Sequence, residues 1–316
     1  MQQEQEQQQT PDTGIPFAQH LSRLSPLLLL LGLVTAISLS SGLVFDFDYD
    51  IGHFSFGSAS FYLMTAAIVA SVVCSTVLGL RSAGRFTLTA IPTYEPLSTF
   101  SAYFTALMAV ITSAAYLYDR LVMHLPSNGT LELLSAVLFP TVSVSMILGA
   151  HEKTAHSTVR LFFSLLAPVA VTVNMFACYF DFSLPLNSPV RDLVIVAQSG
   201  VLLFLLSEAR LAISPDKRAT APFFIFTSAF ANSAVLGISF GLCVFGFVSP
   251  HAVEMDISVY RFAAYFGVAL LALSRLRSLD RFAGDYVAPP EPEEDKNKKN
   301  KKDKQQPGSQ AEDTTK

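Results

Sequence analysis

The feature that most constrains this chain is a recurring apolar run of roughly 20 residues carrying few or no charges. An α-helix rising about 1.5 Å per residue needs about that length to cross roughly 30 Å of hydrocarbon. The runs are Leu24 to Phe45, Ser60 to Leu80, Leu97 to Tyr118, Leu131 to Ala150, Val159 to Phe180, Leu193 to Ile213, Phe223 to Val248, and Ile257 to Leu273. Charged residues make up only 15% of the chain and hydrophobic residues 51%, whereas about a quarter of an average soluble chain is charged. The expected fold class is an all-α integral membrane bundle of about eight transmembrane helices.

Lysine and arginine near the span ends set the expected orientation, because the cytoplasmic side normally holds the excess. With the N-terminus inside, the inner side carries Arg23, Arg81, Arg85, Lys153, Arg160, Arg210, Lys217, Arg218, Arg275, Arg277 and Arg281. The outer side carries Arg120, Arg191 and Arg261. An even number of spans returns the lysine-rich C-terminus to the inside, so N-in/C-in and eight spans support each other. The expected location is the cell membrane, with both termini cytoplasmic.

Residues 1–20 open on a glutamine-rich, acidic stretch, and residues 283–316 combine Pro, Glu, Lys and Gln with almost no apolar side chain. Both are expected to be disordered tails, because neither has enough apolar surface to offset the entropy of ordering. The folded part is expected to be a single membrane domain over residues 21–282. Its loops are too short to hold an independent soluble domain. A weak 4+4 repeat is suggested by Phe45-Asp46-Phe47 after the first span and Phe180-Asp181-Phe182 after the fifth.

Helices in lipid associate through small residues and a few interhelical hydrogen bonds. Stripes of small residues at every fourth position occur at Gly32, Ala36 and Ser40; at Ala67, Ser71, Ser75 and Gly79; and at Ala229, Ser233, Gly237 and Gly241. Pro140 and Pro168 fall near the middle of spans four and five, where each removes a backbone donor and frees a carbonyl. Asn174 and Asn232 are the expected partners for such freed groups. Together with Glu208 they are the candidate binding residues of a polar cavity, and Glu208 is placed to pair with Lys217 or Arg218. No carboxylate lies at a span centre, which weakens ion-coupled transport.

Catalytic signatures are missing. HEKTAH at His151 to His156 puts the second histidine at i+5 rather than at the i+4 that a zinc-protease helix requires. No glycine-rich nucleotide cradle occurs. Cys74, Cys178 and Cys243 lie in spans and form no C-x-x-C pair. No cofactor is implied, and the charge pattern offers no nucleic-acid surface.

The most chemically loaded loop is VFDFDYDIGHFSFGS, Val44 to Ser58, in which Asp46, Asp48, Asp50 and His53 form a candidate divalent-metal set. Its spacing begins like a calcium loop, but Ile51 stands where that loop needs glycine and Gly57 where it needs glutamate. The alternation of Phe45, Phe47, Tyr49 and Ile51 with aspartates instead predicts a short hairpin with an aromatic face on the bundle. Three function classes follow. The favoured one is a non-enzymatic solute permease or membrane subunit of a larger complex, whose partners would be the bilayer, a small solute or another membrane subunit. The others are a packing or regulatory subunit with no pathway, and a lipid-modifying or intramembrane enzyme using Asp46, Asp48, Asp50 and His53, or His151 and Glu152.

Overall fold

The computed structural model describes residues 14–83, 86–88, 95–122, 129–151, 154, 157–180, 188–213, 220–252, 255 and 257–285. Eight helices in it are long and apolar enough to cross a membrane. They are α1 (Gly14–Ser41, extended by a π-helical turn at Gly42–Asp46), α2 (Ala59–Ser82), α3 (Pro96–Leu121), α4 (Gly129–Ala150), α5 (Thr158–Tyr179) and α6 (Pro189–Ile213). In α7 the α-helical stretches Thr220–Phe230 and Leu236–Val248 flank a π-helical turn at Ala231–Val235; α8 is Val259–Arg277 and α9 the short Leu279–Phe282.

Every expected span coincides with one of these helices, with differences at the ends. Helix α1 begins at Gly14 rather than Leu24, so residues 14–20, expected in the tail, are helical and bury Ala18 completely. Residues 283–285, expected to open the C-terminal tail, form a strand, β4 (Ala283–Asp285), that pairs antiparallel with β3 (Phe86–Leu88). The second triplet of the suggested repeat includes Asp181 and Phe182, which lie outside the described residues.

The bundle is turned inside out relative to a water-soluble protein. Leu30, Ile37 and Leu80 are 57%, 68% and 72% exposed, while Ser71, Ser75 and Thr105 are fully buried. Buried hydroxyls are largely satisfied by their own helices. Ser71 donates to the Ala67 carbonyl at 2.8 Å, Thr105 to Ser101 at 2.7 Å and Ser233 to Ala229 at 2.8 Å, whereas the buried hydroxyls of Ser75, Ser135 and Ser228 have no partner.

Helix α7 is the most enclosed span, with 72% of its apolar window buried, against 28% for α2. It is parallel to α1 and approaches it closely through the predicted stripes. A Cβ on Gly237 would lie 2.5 Å from the Gly32 carbonyl oxygen, and one on Gly241 3.0 Å from that of Ala36. The glycines at 237 and 241 therefore serve an internal contact. Gly79 of α2 makes a second close approach, to Pro222 and Phe226 of α7.

The freed proline carbonyls are not met by the asparagines. Pro140 leaves the Ala136 carbonyl without its helical donor, and Ser113 of α3 donates to it across the helix interface. Pro26 leaves that of Ser22, which accepts from Ser25 at 2.8 Å. In each case a serine hydroxyl, short enough to reach without spreading the helices, is the donor.

Candidate functional site

We call the end of the bundle where α1 begins proximal and the other end distal. Odd-numbered helices start proximally and even-numbered ones distally. Two buried polar clusters, one toward each end, are built by α3, α5, α6 and α8, with α4 joining the proximal one.

The proximal cluster surrounds a cavity of about 30 Å³ lined by Ser98, Ser145, Arg160, Ser164, Glu208 and Arg275 among others. That volume holds about two water molecules. Helix ends deliver the charges: Arg160 from the first turn of α5, Glu208 and Arg275 from the last turns of α6 and α8. Arg275 Nε donates to Glu208 Oε1 at 3.1 Å, with the two side chains 4% and 12% exposed, and Arg275 Nη1 donates to Ser98 Oγ at 3.3 Å. Arg160 lies across the backbone of Gly149 near the end of α4, where a Cβ would sit 3.3 Å from its Nε. The missing side chain makes room for the guanidinium, and the end of α4 presents it with the negative end of a helix. Arg275 is thus a partner of Glu208; Lys217 and Arg218, the expected ones, lie outside the described residues.

The distal cluster centres on Asn174, 1% exposed. Its Oδ1 accepts from Tyr265 at 2.8 Å and from Gln198 Nε2 at 3.0 Å, and its Nδ2 donates to the Tyr116 hydroxyl at 2.9 Å. Arg261 Nη1 donates to Tyr116 at 3.0 Å and to Cys178 Sγ at 3.1 Å, and Gln198 also reaches Cys178 at 3.3 Å. Such a connected network ties four helices together. Gln198 carries the same amide as Asn174 at mid-span and is readable from sequence by the same criterion. Tyr116 and Tyr265 are not, because tyrosine near span ends ordinarily marks the interface.

Beyond this network, Arg191 in the first turn of α6 is 3% exposed, and neither of its terminal nitrogens has a hydrogen-bond partner. Its guanidinium carbon lies 5.4 Å from the centroid of the Tyr179 ring. A buried ion loses several kcal/mol of hydration, and an aromatic face returns about 2 kcal/mol or somewhat more. Arginines at 160, 191, 261 and 275 are all buried, and Glu208 and Glu95 are carboxylates only 12% and 14% exposed.

The three candidate binding residues therefore occupy three places. Glu208 lines the proximal cavity, Asn174 centres the distal network, and Asn232 sits in the π-helical turn of α7. Asn232 Nδ2 donates to the Ser25 carbonyl of α1 at 3.2 Å, and its Oδ1 is buried without a partner.

The candidate metal set is not assembled. Asp46 ends the π-helical turn and accepts from Ser58 at 2.9 Å and Ser60 at 2.5 Å, while Asp48 accepts from the N–H groups of Asp50 and Ile51 at 3.0 and 3.2 Å. Asp50 is exposed, and His53 lines a separate pocket of about 160 Å³ with Phe54, Phe61 and Pro189. No group of three or more metal-ligating side chains converges among the described residues. The hairpin itself is present as β1 (Phe47–Asp48) paired with β2 (His53–Phe54). Its aromatic face is shorter than the alternation implies: Phe47 is buried against Tyr49 and Phe54, but Phe45 and Ile51 are 82% and 65% exposed. Helix α1 continues through Asp46, so Phe45 follows helical geometry and leaves the strand's face. His151 meets the Tyr103 hydroxyl at 2.6 Å, and Glu152 and His156 lie outside the described residues.

No protein-family model, curated protein or solved structure matches this chain.

Proposed function

We propose that this multi-pass membrane protein is a non-enzymatic solute permease whose pathway runs between α3, α5, α6 and α8. The carrying observation is that a polar cavity at the proximal end and a polar network toward the distal end are built largely from the same helices. Helices serving only to pack against one another could use apolar and small residues alone, as α1, α2 and α7 largely do. Polar and charged groups at membrane depth are costly and mark pathways by default. In the N-in/C-in orientation favoured by the lysine and arginine count, the proximal cavity faces the cytoplasm of the cell. The cavity is far smaller than the roughly 300 Å³ of an ordinary small-molecule site, so this conformation is an occluded one.

Thiol accessibility tests the reading. In a background with Cys74 and Cys243 replaced by alanine and Cys178 by serine, Ser164→Cys should react with a membrane-impermeant reagent from the cytoplasmic face only. Asn174→Cys should react from the opposite face. Complete protection of both from both sides would leave a packing or regulatory subunit as the better account.

A further inference from the structure

We propose that the distal start of α6 binds an oxyanion, a phosphate or carboxylate group, through Arg191 and Ser188. The inference stands whether or not the bundle transports a solute. Arg191 is 3% exposed and Ser188 1%, yet both Arg191 terminal nitrogens and Ser188 Oγ lack hydrogen-bond partners. The two residues are three apart at the start of a 25-residue helix and so share one face. Side chains on a helix lean toward its N-terminus, and the Arg191 guanidinium lies 5.4 Å from the ring of Tyr179 at the end of α5. It is therefore turned toward the end of α5.

A serine just before a helix ordinarily accepts a first-turn N–H through its hydroxyl. Ser188 does not, which leaves its O–H to donate and the positive end of the helix uncapped by it. A forked guanidinium, a hydroxyl and a helix N-terminus together match the geometry of an oxyanion. Asp192, the neighbouring acid, is exposed. A pocket of about 160 Å³ lined by His53 and Phe54 of β2 reaches Pro189, the residue next to Ser188.

Phospholipid headgroups and free anions share this chemistry, and two measurements separate them. Inorganic phosphate, against chloride at matched ionic strength, should raise the thermal unfolding temperature of the delipidated full-length protein in detergent. The apparent affinity should fall about tenfold or more in Arg191→Met and about fivefold in Ser188→Ala. Asp192→Asn should leave it unchanged. If the natural occupant is a headgroup, mass spectrometry of protein purified in mild detergent will show a retained phospholipid that Arg191→Met releases. Should Arg191→Met fail to fold, Arg191→Lys, which keeps the charge and loses the fork, and Ser188→Ala carry the same comparison. Wild type and variants alike in both phosphate response and retained phospholipid would overturn the proposal.

Discussion

Replacing Glu208 by glutamine removes the carboxylate from the proximal cavity while keeping its shape. The Arg275 Nε to Glu208 Oε1 distance of 3.1 Å corresponds to about 5 kcal/mol of attraction at an effective dielectric near 20. The new amide still accepts from Arg275, which returns about 1 kcal/mol. Glu208 is 12% exposed and the cavity admits water, which lowers the loss further. Arg160 acts the other way, because the variant leaves two guanidinium groups sharing one small space. The expected destabilisation is about 3 kcal/mol, at the lower edge of what breaking a buried pair costs. Equilibrium unfolding of the purified protein by dodecyl sulfate in mixed micelles, followed by circular dichroism, measures it. Adding Arg275→Gln should restore about 2 kcal/mol relative to the sum of the single changes. A loss below about 1 kcal/mol, or strictly additive variants, would refute the claim that this pair is desolvated and mutually dependent.

Ser113→Ala should cost about 1 to 2 kcal/mol by stranding the Ala136 carbonyl, and almost nothing in a Pro140→Ala background, where the helix regains its own donor; an equal cost in both backgrounds contradicts the assignment. Gly237→Ala should cost about 1 to 3 kcal/mol, since its Cβ would sit 2.5 Å from the Gly32 carbonyl oxygen and 2.6 Å from Thr35 Cβ and so force α1 away from α7. A fully stable variant would show that the two helices can separate freely. Phe204→Ala, which removes a wholly buried ring from α6 between the two clusters, should destabilise by about 3 to 5 kcal/mol. It should also let reagent from the proximal side reach a cysteine at position 174, and unchanged protection would argue against a route between α3, α5, α6 and α8.

What the sequence made legible divides along a physical line. Span existence depends on the apolar content of one segment, so all eight helices were readable, as were the glycine and small-residue stripes that α1, α2 and α7 bury. Which residues meet across helices depends on pairs of faces, and there the reading failed. Arg275, which approaches Glu208 from α8, was not foreseen, because the search for a partner stayed with residues near in sequence. Arg160 counts as a surface cation in the charge balance, and only the bare backbone of Gly149 shows why it folds inward. Asn174 was legible as a costly mid-span amide, but not as the hub of Tyr116, Gln198 and Tyr265. Alternation in the Val44 to Ser58 loop gave the hairpin but not its register, because the helix before it runs on through Asp46.

The placement of the two clusters bears on how the bundle could move. Helix α5 carries Arg160 in one cluster and Asn174 in the other, and α8 carries Arg275 and Arg261; each pair is fourteen residues apart, or about 21 Å along a helix. Between them the same helices are largely apolar, with Ala167, Ala170, Val171, Val268 and Ala269 all buried. Each cluster draws members from helices that also hold the other cluster, with Pro168 of α5 lying between Arg160 and Asn174. A tilt of α5 or α8 that opens the Arg275–Glu208 contact must shift Asn174 or Arg261 against Tyr116 at the same time. On the proposed permease reading, opening at one end would be coupled to repacking at the other, as an alternating pathway requires.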